Sequence, residues 1–183
     1  MKRIQQGFTM IELIVVIVIL GVLAAVALPR FTNVQRDARI AKLNAARGAM
    51  LSASALVHGT ALARAGVVQP ACAVAGFGGN PPTIAIATGT GNLCTENGNI
   101  QVTSLYPAGT LAGIVAAAGV VQVNGVPTAA QLTADNWATA AAGGGISLQV
   151  MGGTNQANCS VTYTPPVALG AAPVFAAPVI TGC

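Results

Sequence analysis

The side chains on which most enzymes build acid, base or metal chemistry are nearly missing from this sequence. It holds one histidine, His58, and four acids, Glu12, Asp37, Glu96 and Asp135, in 183 residues. One of those acids lies inside an apolar run, so no carboxylate pair is available for general acid/base work. The serines lack a histidine and aspartate pattern that would make one of them a nucleophile. The glycine runs precede no Lys-Ser or Lys-Thr step that would cradle a phosphate. No catalytic residue, cofactor site or metal site is therefore expected, and the chain does not read as an enzyme. His58 is expected to be a packed or solvated side chain near a helix end.

Charge is scarce altogether. Only 7% of the residues are charged, against about 25% in an ordinary soluble domain. The distribution is lopsided: all eight lysines and arginines lie at or before Arg64, and beyond it only Glu96 and Asp135 carry charge. A surface so poor in charge suits burial against copies of itself. The basic stretch from Arg30 to Arg64 raises nucleic-acid binding as a reading, but the rest of the domain has a net charge of −2, and a polyanion partner is not expected.

Aromatics are also few, and the lone Trp137 reads as a core anchor before it reads as a platform for a sugar. The four cysteines, Cys72, Cys94, Cys159 and Cys183, have no C-x-x-C spacing and too few histidines around them for a mixed zinc site. They read as two disulfides, which places the domain in an oxidising compartment. Three connectivities are possible. Pairing Cys72 with Cys94 and Cys159 with Cys183 is favoured, because each pair closes a short Gly/Pro-rich loop and contributes about 3 kcal/mol in the chain-entropy picture.

What the chain does have is one long apolar run. Residues 8–28 are dominated by Ile, Val, Leu and Ala; as a helix they extend roughly 31 Å, about one hydrocarbon thickness. Glu12 breaks the pattern. A carboxylate at that depth costs about 2.5–3.5 kcal/mol on insertion scales and calls for a partner. Lys2 and Arg3 precede the run and would hold the N-terminus on the cytoplasmic side, sending the C-terminal part across the membrane. A conventional signal peptide cut near Ala25-Val26-Ala27, or a simple anchor, leaves Glu12 unexplained.

The segment Gly7-Phe8-Thr9-Met10-Ile11-Glu12-Leu13, with Lys2 and Arg3 before it and Pro29-Arg30 closing the run, resembles the class III leader and N-terminal helix of type IV pilins and type II secretion pseudopilins. Leu28-Pro29-Arg30-Phe31-Thr32-Asn33 and Asp37-Ala38-Arg39-Ile40-Ala41 look most like the mannose-sensitive haemagglutinin branch of those pilins. The resemblance implies cleavage after Gly7, N-methylation of the new terminus at Phe8, and pairing of Glu12 with the Phe8 amine of a neighbouring subunit. It implies a prepilin peptidase that also methylates, an assembly platform with its ATPase, and other pilins as partners. It also implies a homo-oligomeric helical filament at the cell surface, reached from the inner membrane, with adhesion as its purpose. The loop from Cys159 to Cys183 resembles the exposed, variable disulfide loop of many such pilins. A type II secretion pseudopilin is the alternative, and a DNA-uptake pilin a third.

The expected organisation is a leader over residues 1–7, a transmembrane and assembly helix over 8–28, its amphipathic continuation over 29–60, and a β-rich globular domain over 61–183. The fold class is α+β, a long helix packed on an antiparallel sheet. Pro29 is expected to kink the helix, which should run to about Val57. Two apolar stripes follow Pro29. Phe31, Val34, Ala38, Ala41 and Ala45 form one, and Ile40, Leu43, Met50 and Val57 form the other, nearly opposite. Two faces suit a helix that packs on its own domain on one side and on neighbouring subunits on the other. Strands are expected at 83–88, 100–103, 120–123, 146–151 and 160–163, and a short helix over 132–142 with Asp135 near its start and Gly143-Gly144-Gly145 ending it.

Overall fold

The computed structural model describes residues 8–69, 72, 83–96, 98–123 and 125–183, with the backbone alone at Pro29, Arg30 and Thr32. The leader expected over residues 1–7, Gly7 included, lies outside them. The chain divides into two units, Met1–Ala38 and Arg39–Cys183. Helix α1, Met10–Arg64, begins in the first and ends in the second. Its helical backbone runs through Pro29 and continues seven residues beyond the expected end at Val57.

In the first unit every large apolar side chain of α1 is exposed, from Leu13 at 55% to Leu28 at 65%. In the second unit the helix is amphipathic. Leu43, Ala46, Met50, Ala53, Val57 and Ala61 are buried, recurring at steps of three and four so that they share one face. The stripe expected from Ile40, Leu43, Met50 and Val57 is therefore the one that packs on the domain, with alanines filling the intervening turns. Phe31, Val34, Ala38, Ala41 and Ala45 remain exposed.

Two antiparallel sheets follow α1. The first has the order β1–β2–β3: β1 is Gly91–Thr95, β2 Gly98–Thr103 and β3 Tyr106–Pro107. The second has the order β4–β5–β6–β7: β4 is Trp137–Ala142, β5 Gly145–Val150, β6 Ser160–Thr164 and β7 Val174–Phe175. Between them lie a π-helical turn, Leu111–Val115, continuing as α2, Ala116–Ala118, and then α3, Ala129–Ala134.

Each sheet has its own hydrophobic core against a different stretch of α1. Leu43, Ala46 and Met50 meet Ile114, Val115, Leu132, Trp137 and the inward residues of β5 and β6. Val57 and Ala61 meet Ile84, Leu93, Ile100, Val102 and Ala116. In the larger core Ile146 sits opposite Tyr163 and Leu148 opposite Val161, which fixes the register by putting the bulky residues of both strands on one face. Trp137 is 3% exposed and acts as a core anchor.

The helix expected over 132–142 is the main correction. A capping box of Thr128 and Gln131 starts the helix earlier, with Gln131 Oε1 accepting from the Thr128 N–H at 2.8 Å. Asp135 then stands at the C-cap, not near the start. Asn136 takes a left-handed φ of 55°, a conformation that suits asparagine and ends the helix. The alanine-rich 137–142 stretch pairs with β5 along its full length, so sheet pairing overrides the helix preference of alanine. Gly143 and Gly144, with φ of 53° and 84°, supply the two left-handed residues of a tight hairpin. The strand expected at 120–123 does not form, and the one at 83–88 reduces to a bridge between Ile84 and Gly91. Strands β1 and β3 and the edge strand β7 had no sequence expectation.

Candidate functional site

The N-terminal turn of α1 is built by reciprocal hydrogen bonds. Thr9 precedes the first helical residue, and Glu12 stands three positions later. The Thr9 N–H and Oγ1 both donate to Glu12 Oε2 at 3.4 Å, while the Glu12 N–H donates to Thr9 Oγ1 at 3.3 Å. This is a capping box, in which the carboxylate satisfies an otherwise orphaned donor and faces the positive end of the helix. The T-x-x-E spacing signals this arrangement in the sequence, and the sequence expectation above missed it by treating Glu12 only as a charge awaiting an external partner. The bonds are long, and Oε2 takes both, which leaves Oε1 with acceptor capacity for another donor. Phe8, at 87% exposure, stands one residue ahead of the cap.

From Met10 onward the helix carries a window long and apolar enough to cross a membrane, and none of that window is buried. Side chains of this kind in contact with water expose a large apolar surface, which needs a lipid or protein environment to cover it.

Four cations of the helix, Arg39, Lys42, Arg47 and Arg64, end on backbone carbonyls of the domain. Arg39 Nε donates to the Cys183 carbonyl at 2.6 Å, and Arg47 Nε to that of Ala176 at 3.3 Å. Lys42 Nζ donates to the Asp135 carbonyl and lies 4.4 Å from the centroid of the Trp137 ring. Arg64 reaches the Cys94 carbonyl at 3.1 Å and Gln69 Oε1 at 3.2 Å. Burial pushes the Lys42 ammonium below its ordinary value, opposed by the Asp135 charge. These four side chains are held in intramolecular contacts, so the basic character of this stretch serves to tie loops to α1.

Two of those carbonyls belong to disulfide-bonded cysteines. The bridges join Cys72 to Cys94 and Cys159 to Cys183, with Cα separations of 5.5 and 4.7 Å. His58 packs flat against Tyr106, centroids 3.9 Å apart, with Nδ1 3.1 Å from the Leu105 carbonyl. It holds the β2–β3 turn, where Ser104 and Leu105 both adopt left-handed φ of 50° and 68°. Among the described residues no group of three or more His, Cys, Asp or Glu is placed to hold a metal.

Comparison with known proteins points to the same end of the chain. Residues 2–28 match the family model of the prokaryotic N-terminal methylation motif. The chain is 40% identical over 53 residues to a type IV major fimbrial protein FimA of Dichelobacter nodosus, covering 29% of this chain and 34% of that one. It is 47% identical over 51 residues to the type IV narrow pilus major component PilA5 of Thermus thermophilus, 28% of this chain and 44% of the relative. With the fimbrial protein EcpC of Eikenella corrodens it shares 54% identity over 33 residues, 18% and 22% of the two chains. The match therefore spans less than half the length of these relatives, and no solved structure matches. The methylation motif, the exposed apolar helix and the fimbrial relatives together make the N-terminal part of this chain similar to that of type IV pilins.

Proposed function

We propose that this chain is the structural subunit of a type IV pilus-like surface filament, made as a prepilin in the inner membrane with its C-terminal domain on the periplasmic side. A prepilin peptidase cuts after Gly7 and methylates the Phe8 amine. The assembly platform and its ATPase then move the subunit into a filament with other copies and other pilins, and the filament serves adhesion. One observation carries this reading: a membrane-length apolar helix with none of its most hydrophobic window buried begins within a methylation-motif match. Burial of that surface against other helices supplies the cohesion, at about 25 cal/mol for each Å² removed from water and through close packing once in a bilayer.

Glu12 has a definite part in this scheme. Cleavage creates an amine at Phe8, four residues before Glu12, and Oε1 has capacity to accept it. Inside a filament an unpaired carboxylate is costly, so the arrangement that brings each Glu12 to another copy's Phe8 amine is selected over other staggers. The cap to Thr9 fixes the carboxylate's direction before that partner arrives.

The test is deletion of the coding sequence, with electron microscopy of sheared cell surfaces and mass spectrometry of the recovered subunit. The expected result is loss of filaments on deletion and, in the wild type, a mature chain beginning at methylated Phe8. Intact filaments after deletion, combined with failed export of periplasmic enzymes, would identify a pseudopilin instead.

A further inference from the structure

Beside the buried stripe of α1 lies an open cleft of about 450 Å³. Its walls are Ala53, Leu56 and Thr60 of α1, Thr95 and Glu96 at the end of β1, and Ala117 of α2. Leu56 is 72% exposed, so one apolar wall is uncovered. The hydroxyls turn back on backbone: Thr60 Oγ1 donates to the Leu56 carbonyl at 2.9 Å, and Thr95 Oγ1 to the Gly98 carbonyl at 3.0 Å. Glu96 is different. Its carboxylate is exposed and has no hydrogen-bond or ionic partner among the described residues. It is also one of only two acids beyond Arg64. An apolar floor with a carboxylate at its edge has the chemistry to receive an alkyl chain that ends in a cation.

The cations of this chain narrow the choice. Arg39, Lys42, Arg47 and Arg64 donate to acceptors within the chain. Arg36 is exposed, and it is the one arginine among the described side chains without an acceptor. Its neighbour Asp37 is also unpartnered, and it stands on an exposed helix face. We propose that the cleft receives Arg36 of a second copy of the chain, with the guanidinium on Glu96 and the methylene stem lying on Leu56 and Ala53. Charge complementarity and the exposed apolar wall select this occupant. Arginine suits it better than lysine, because its planar fork matches a carboxylate with two parallel bonds while its stem tolerates an apolar surface. The inference rests on the filament reading for bringing copies together. It adds a contact outside the membrane helix that discriminates one stagger of the copies from another.

Two experiments on the full-length chain in the producing cell test it. In the first, Arg36→Glu and Glu96→Arg are made singly and together, with Arg36→Gln and Glu96→Gln as milder forms, and the membrane pool of subunit is measured beside the filament yield. Each reversal is expected to lower the yield at least tenfold at an unchanged pool, and the double reversal to restore it to within about threefold. Single reversals without effect, or a double no better than the singles, would overturn the pairing. In the second, one tagged copy carrying Asn33→Cys is co-expressed with a differently tagged copy carrying Thr60→Cys, and a short bismaleimide is added. A mixed dimer is expected, and its absence overturns the proposal. If wild-type cells make no filaments, the filament reading fails on its own, and the cross-link then decides the cleft: a mixed dimer upholds the contact between copies, and no dimer removes it.

Discussion

The two halves of α1 both carry large apolar side chains, and those side chains meet opposite fates. From Leu13 to Leu28 the large apolar side chains are at least about half exposed, whereas Leu43, Met50 and Val57 are 5% exposed or less. The second half interleaves cations and small polar residues with its apolar positions, so one face is apolar and the other is not. The first half is apolar on every side. A helix with one apolar face is satisfied by a single sheet; a helix apolar all round must be surrounded, by lipid or by its own copies. The difference separates two roles within one helix: residues 39–64 complete the core of the domain, and residues 8–38 present apolar surface for lipid or protein to cover.

The largest effect expected is at the proposed cleavage boundary ahead of the first half. Gly7→Ala should leave the leader attached and abolish filaments, read as a subunit mass that retains residues 1–7; a subunit starting at Phe8 in that variant would break the processing account. Next is Glu12→Ala, which should still be cleaved but lower filament yield at least tenfold, since both the cap and the partner for the amine are gone. Abundant filaments from it would remove the role given to the carboxylate.

The contrast between halves is sharpened by truncating one residue in each. Leu43→Ala should destabilise the domain by about 2–5 kcal/mol, the usual cost of a cavity in a core, measured by denaturant unfolding of the chain in detergent. Val16→Ala should change the same midpoint by less than about 0.5 kcal/mol and show its effect only in assembly. Equal effects on unfolding would mean that the first half also contributes to the fold of the domain.

The smallest effect concerns Tyr163, which is fully buried and donates its hydroxyl proton to the Pro107 carbonyl at 2.7 Å. Burial pushes its phenol well above the ordinary value of 10.0. The unfolded chain then loses this proton at lower pH than the folded one, so the folded state holds more protons above about pH 10 and stability falls as pH rises through that range. Tyr163→Phe should flatten the alkaline part of a plot of unfolding midpoint against pH. An unchanged slope would assign the alkaline loss to other groups.

How much of this was legible in the sequence follows from what each element depends on. The α+β class, the helix and its two stripes could be read because steps of three and four over Phe31, Val34, Ala38, Ala41 and Ala45, and of three and seven over Ile40, Leu43, Met50 and Val57, are local signals. Strands β5 and β6 were visible for the same reason, with Ile, Val and Tyr alternating between turn residues. The 137–142 stretch was misread because its alanines carry helix propensity, while its strand pairing with β5 is a long-range fact. The Thr128–Gln131 box and the Thr9–Glu12 box were both readable as spacing and were passed over. The short β3 and β7 have no local signature at two residues each; they exist because neighbouring strands offer them a free edge. The bonds from Arg39, Arg47 and Arg64 to carbonyls at Cys183, Ala176 and Cys94 could not be foreseen, since nothing in an arginine's sequence context announces a backbone acceptor 144, 129 or 30 residues away.

The two separate cores along α1 have a mechanical consequence. A tensile load travelling down the helix reaches the sheets through two parallel anchorages spaced along its length, one around Met50 and one around Val57 and Ala61. Rupture of either leaves the domain tethered by the other, so a subunit under strain should yield in two steps.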